Sequence, residues 1–122
     1  MKNESVTIDT DKILYLLSGN RFDVSDEMRC HGQIKDLFDK LNIGYQHEVR
    51  LSQASRIDFM IGKVGVEVKV KGVARSIFKQ LQRYAQHDEV DCIILLTNKS
   101  MGLPALIEGK PAYYVNMGKA WL

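Results

Sequence analysis

The sequence predicts an α/β domain in which helices flank a mixed central sheet, and three observations predict it. Residues 56–71, RIDFMIGKVGVEVKVK, hold two β-patterned runs around a Gly-flanked turn, the pattern of a hairpin. Val90 to Thr97, VDCIILLT, is an almost unbroken apolar run, which suits a strand covered on both faces. Between them Ile77, Leu81, Tyr84 and Ala85 fall at i, i+4, i+7 and i+8, the apolar stripe of an amphipathic helix.

The remaining elements follow in chain order. Thr10 or Asp9 can cap a short helix carrying Ile13, Leu14, Leu16 and Leu17, with Gly19-Asn20 as its stop. Ser25 is the expected N-cap of a second helix, where Asp26 and Glu27 suit the positive end of the dipole and Ile34, Leu37, Phe38 and Leu41 form the buried stripe. Asn42-Ile43-Gly44 ends it. Tyr45 to Leu51 alternates as a first strand does, with Tyr45, His47, Val49 and Leu51 on one face and Gln46, Glu48 and Arg50 on the other. The hairpin supplies two further strands, turning through Gly62-Lys63-Val64-Gly65, and the third helix spans Val73 to Gln86. After the strand ending at Thr97, Asn98 to Gly102 reads as loop, Leu103 to Leu106 as a short helix or turn, and Ala112 to Asn116 as a last strand.

With 122 residues, 45% of them hydrophobic, and no Pro/Gly/Ser-rich divider, residues 1–122 are expected to form one domain around one core. The opening MKNESVTID lacks an apolar leader core, and no apolar stretch reaches bilayer length, so the expected location is cytoplasmic, with no membrane partner. Cys30 and Cys92 lack metal-ligand spacing and read as reduced packing residues. A net charge of +2 does not announce a nucleic-acid binder, yet Lys63, Lys69, Lys71, Arg75, Lys79 and Arg83 all fall in the hairpin and the helix after it.

Glu67 and Lys69 stand two positions apart on a strand and therefore share one face, while Val66, Val68 and Val70 take the other. Closure of the hairpin brings Asp58 towards Glu67, so that two hard oxygen donors converge as Mg²⁺ requires. Charges that blunt a sheet edge are the bland alternative. A hairpin whose other face is Ile57, Phe59, Ile61, Val66, Val68 and Val70 is, however, central by its hydrophobicity. The set resembles the PD-(D/E)xK nuclease superfamily, in which an Asp near the end of one strand is followed by Glu-x-Lys on the next. Here these are Asp58 and Glu67-Val68-Lys69, with Ile57 where the superfamily usually has Pro. Gln80-Leu81-Gln82-Arg83-Tyr84 resembles the Q-h-x-x-Y motif of the RecB-like branch and of phage and VRR-NUC-type nucleases, and the early acid Glu27 resembles that of Holliday-junction resolvases. The likeness covers Asp26 to Thr97.

This resemblance implies a restriction-endonuclease-like αβββαβ core preceded by an extra N-terminal helix. It also implies a metal-dependent DNA endonuclease that hydrolyses phosphodiester bonds with Mg²⁺ or Mn²⁺ and no organic cofactor, branched DNA being the subordinate expectation. Asp58, Glu67 and the backbone carbonyl of Val68 would hold the ion, since oxygen donors suit Mg²⁺ or Mn²⁺ better than Cu or Zn. Lys69 would orient or deprotonate the water, or stabilise charge growing on the phosphorane. Gln80 would hydrogen-bond water or phosphate without adding charge. Glu27 is the preferred further acid and Glu48 the alternative. Lys71, Arg75 and Lys79 are the expected contacts to the DNA backbone. A domain this small embraces little duplex alone, so the expected working form is a homodimer.

His47 reads as a core-edge histidine, and His31 and His87 as surface residues. Tyr84 reads as packing, and Tyr113, Tyr114 and Trp121 as packing or a dimer contact. The rival function is a non-catalytic nucleic-acid-binding or assembly module that keeps the fold without the reaction. Against it stands the intact set of Asp58, Glu67, Lys69 and Gln80. A restriction enzyme is disfavoured because no separate recognition element is present.

Overall fold

The computed structural model describes residues 9–117, so Trp121 lies outside the described residues. Three helices and six strands follow one another in the order α1 (Thr10–Gly19), α2 (Glu27–Lys40), β1 (Gln46–Ser52), β2 (Ser55–Ile61), β3 (Val64–Lys69), α3 (Ala74–Ala85), β4 (Cys92–Thr97), β5 (Leu106–Ile107) and β6 (Lys110–Asn116). The strands form one mixed sheet in the order β1-β2-β3-β4-β6-β5. β1, β2 and β3 form an antiparallel meander. β4 then lies parallel to β3, across the α3 connection that a parallel pair needs, and β6 lies parallel to β4.

Each helix starts where the chain offers a cap or a change of pattern. Asp9 caps α1 by accepting from the Lys12 amide at 2.9 Å. At α2 the cap is Asp26, whose Oδ1 accepts from the amides of Met28 and Arg29, so the expectation of Ser25 is one residue early. Ser25 instead donates its hydroxyl to Asp23. The α2 stripe is Cys30, Ile34 and Phe38, all fully buried, whereas Leu41 is exposed because the helix has ended at Lys40.

The sheet separates two apolar clusters. On one side Ile13 and Leu17 of α1 and Ile34 and Phe38 of α2 cover Phe59, Ile61, Val66, Val68, Ile94 and Leu96. On the other side Ile77, Leu81 and Tyr84 of α3 cover Ile57, Met60, Ile93 and Leu95. β4 is buried along its whole length because both clusters use it, as its unbroken apolar run predicts. Each fully buried aliphatic or aromatic side chain here contributes roughly 1.5–3 kcal/mol of apolar transfer.

Three local expectations are corrected. The β2–β3 turn is only Gly62-Lys63, with Ile61 opposite Val64 and Gly62 at φ +61°; Val64 and Gly65 already belong to the strand. Leu103 to Leu106 forms no helix, and Leu106–Ile107 instead pairs with Lys110–Pro111 around Glu108-Gly109, both at positive φ, as a two-residue hairpin turn demands. The alternation of the first strand breaks at Glu48, whose φ is +55°. Tyr45 and His47 therefore pack on the α2 side, while Val49 and Leu51 pack on the α3 side. β2 switches in the same place, so Ile57 leaves the face occupied by Phe59 and Ile61.

Candidate functional site

The site lies where β2 and β3 part. Their ladder runs through Ile61–Val64, Met60–Gly65 and Phe59–Val66 and goes no further. Beyond it the acids bridge the gap: the Asp58 amide donates to Glu67 Oε1 at 3.1 Å, and the Val68 amide donates to Asp58 Oδ2 at 2.8 Å. Each carboxylate thus satisfies an amide on the opposing strand that the ladder no longer serves. Asp58 and Glu67 are brought together, and Lys69 joins them with Nζ 3.1 Å from Glu67 Oε2. Val68 enters through its N–H, and its side chain is buried in the α2-side cluster.

β4 holds the end of β3 in place. Lys69 pairs with Thr97 in the parallel register, and the buried Thr97 hydroxyl donates to the Lys69 carbonyl at 2.6 Å. From the α2 side Glu27 reaches across to accept from the Val70 amide at 3.2 Å. The second helix is therefore tied to the chain three residues past Glu67 and one past Lys69. Glu27, His31, His47, Glu48, Arg56, Asp58, Glu67, Lys69 and Gln80 all line one cavity of about 360 Å³.

α3 contributes from the opposite face. Gln80 donates to Tyr84 Oη at 2.6 Å, and Oη lies 2.8 Å from the Arg56 carbonyl and 3.1 Å from Glu67 Oε2. A phenol has one proton. Once it is given to the Arg56 carbonyl, the contact with Glu67 is favourable only if the carboxyl oxygen carries a proton itself. Glu67 is 1% exposed, and burial first, then the neighbouring Asp58 charge, push its carboxyl up to about 7 against the opposing pull of Lys69. Burial and then the same Glu67 carboxylate raise the Tyr84 phenol, which keeps it neutral. Tyr84 is therefore fully buried, as packing predicts, and also a hydrogen-bonding partner of the site, which its pattern alone did not reveal.

Two histidines expected to be marginal stand at the centre. His31 lies one turn after Glu27 on α2, half-buried, with Nδ1 2.9 Å from His47 Nε2 and Nε2 3.4 Å from Asp58 Oδ2. That last contact is within ion-pair range but outside hydrogen-bonding geometry, so Nε2 is buried without a hydrogen bond. Phe59 packs against both rings. Desolvation works against a charge on His31 but is outweighed by Asp58, then Glu27 and Glu48, and its pKa is raised; that of His47 is lowered by desolvation and by His31. The i to i+4 spacing of Glu27 and His31 was the available signal for His31, and nothing local marked His47.

The basic residues divide. Lys63 stands at the hairpin turn, at the far end of β3 and about 20 Å of strand from Lys69, where it pairs with Asp91. It does not belong to the site. Lys71, Arg75 and Lys79 are exposed, line no part of the cavity, and pair with no acid among the described residues. His87 lies elsewhere, its carbonyl accepting from Lys110. Cys30 and Cys92 are free and buried, and burial raises both thiols, that of Cys30 to about 12. Tyr113 packs under the sheet, and Tyr114 donates to the Lys99 carbonyl. Among the described residues no helix is long and apolar enough to cross a membrane.

No family model matches the chain, and neither does a curated protein or a solved structure.

Proposed function

We propose that the chain is a metal-dependent DNA endonuclease of the PD-(D/E)xK kind. The observation that carries this reading is the parting of β2 and β3, which places the Asp58 and Glu67 carboxylates against one another with Lys69 on Glu67. The succession α2-β1-β2-β3-α3-β4 supports it further, being the order of the restriction-endonuclease-like core, with α1 as the extra helix. The donor chemistry fits a hard divalent cation. The buried Glu67 carboxylate and the half-buried Asp58 beside it repel, after burial the second reason that the Glu67 carboxyl is raised, and a divalent cation held between them would relieve that repulsion.

Bound between Asp58 and Glu67, Mg²⁺ or Mn²⁺ would polarise the phosphate and lower the pKa of a water. The residues supply the rest. Lys69, held beside Glu67, would stabilise the negative charge that grows on the phosphate oxygens. Glu27 and Gln80 border the same cavity from opposite helices and orient water or phosphate by hydrogen bonds. Lys71, Arg75 and Lys79 lie on the exposed approach and neutralise backbone phosphates, and a second copy of the chain supplies the other half of a duplex site.

Cleavage of labelled duplex, single-stranded and four-way DNA, with and without Mg²⁺ or Mn²⁺, tests the reading. Cutting that depends on the cation is the expected result, and no cutting of any substrate rejects it. Lys69→Ala is expected to lower the cleavage rate at least ~100-fold while leaving DNA affinity within about twofold. Equal loss of both identifies a binding module.

A further inference from the structure

His31 and His47 come from α2 and β1, and their facing nitrogens stand 2.9 Å apart. One ring nitrogen of each histidine and a carboxylate oxygen of Glu48 all lie within 4.8 Å of one another. Neighbouring residues on a regular strand point to opposite faces, so His47 and Glu48 should not be able to reach one place. They do so because Glu48 adopts φ +55°, a conformation that a non-glycine residue takes only at a cost of about 1–2 kcal/mol.

We infer that His31 Nδ1, His47 Nε2 and Glu48 form a second cation site, separate from the Asp58–Glu67 pair and suited to a borderline-soft divalent ion of the Zn²⁺ class. Two imidazoles and one carboxylate are a zinc donor set, whereas Mg²⁺ prefers oxygen alone. Two nitrogens bound at ~2.1 Å to one tetrahedral ion stand about 3.4 Å apart, so the facing nitrogens at 2.9 Å need to open by only about half an ångström to admit it. Three protein ligands leave a fourth, solvent-facing position, and Glu48 is exposed there.

The far side of His31 supports this assignment. Its Nε2 is buried 3.4 Å from Asp58 Oδ2 and makes no hydrogen bond to another group. Asp58 Oδ2 lies within ion-pair range of that nitrogen, and a proton placed there leaves Nδ1 with its lone pair towards His47, the tautomer that a metal ligand needs. Without the ion, one shared proton joins the two facing nitrogens; with it, both turn lone pairs to the metal and His47 carries its proton on the other ring nitrogen. The site ties α2 to β1 whatever reaction the neighbouring acids perform, so it does not rest on the nuclease reading.

Co²⁺, a coloured stand-in for Zn²⁺, tests it on the full chain after chelator treatment. The expected result is a visible d–d absorption that saturates at one ion per chain, is bleached by Zn²⁺ and is unaffected by excess Mg²⁺. His47→Ala should remove this absorption, Glu48→Gln should weaken Co²⁺ binding at least ~10-fold, and Glu67→Gln should leave it unchanged. No absorption in the wild type overturns the assignment, as does absorption that survives His47→Ala or vanishes in Glu67→Gln. Because Glu48 is exposed, its conservative variant folds, and an unaltered titration there overturns the site independently of His47→Ala.

Discussion

Glu67 is the residue in which burial and charge meet most directly. Its side chain is buried, and its carboxyl is raised from an ordinary 4.5 to about 7, by burial first and Asp58 second. Between those two values the folded chain holds a proton that the unfolded chain has released, so stability falls as pH rises. The contribution is complete below about pH 4.5 and is lost as pH passes about 7. Thermal melts of the cation-free chain are expected to show this loss, on the order of 3 kcal/mol or roughly 10 °C in Tm. Glu67→Gln, which stays neutral, should flatten the profile and raise Tm at pH 8. Mg²⁺ or Mn²⁺ should restore the wild type at pH 8 and leave Glu67→Gln where it was. A wild-type Tm that rises across this range would show that Glu67 is ionised throughout.

Among the elements, β2 and β3 decide the geometry, and they do so through packing at Gly65. A Cβ there would meet Ile57 Cδ1 at 2.5 Å, so the absent side chain is what lets Ile57 sit on the α3 face next to the point where the strands part. Gly65→Ala is expected to cost about 1–3 kcal/mol by overpacking, measured by chemical denaturation. Ile57→Val, which withdraws the offending methyl, should recover part of that loss in the double variant; strictly additive losses would place the strain elsewhere. The element patterns were legible where one periodicity ran undisturbed. α3 spans Ala74–Ala85 between caps at Val73 and Gln86, and β4 is buried on both faces, as their sequences indicate. β1 was legible only in part. Its alternation continues through Glu48 in the sequence while the backbone turns over at that residue, and residue order does not encode a positive φ at a glutamate.

The whole molecule decides how charge reaches a ligand. With a net charge of +2 there is little overall attraction for a polyanion, so any DNA affinity depends on local cations. Lys71 and Arg75 stand just past the end of β3 and at the start of α3, exposed and outside the cavity. Lys71→Ala and Arg75→Ala are each expected to weaken DNA binding similarly for all sequences and to reduce the slope of log affinity against log salt by about one. Lys63→Ala, at the far end of the strand, should change neither; fluorescence anisotropy at several salt concentrations checks all three. A slope unchanged by the first two would move the DNA path away from the α3 approach.

Residue order was enough to establish the α/β class, the sides taken by Val66, Val68, Glu67 and Lys69, and the acids that would meet. These follow from alternation and apolar periodicity, which are local properties of the chain. Only the tertiary structure decided that β2 and β3 part at Asp58 and Glu67, that Tyr84 and Gln80 close the site from α3, and that His31 meets His47. Gln80 and Tyr84 are one turn apart on α3, but Tyr84 meets Glu67 across 17 positions and His31 meets His47 across 16, each between different elements. What brings them together is the packing of two helical layers on one sheet, and no local pattern carries that information.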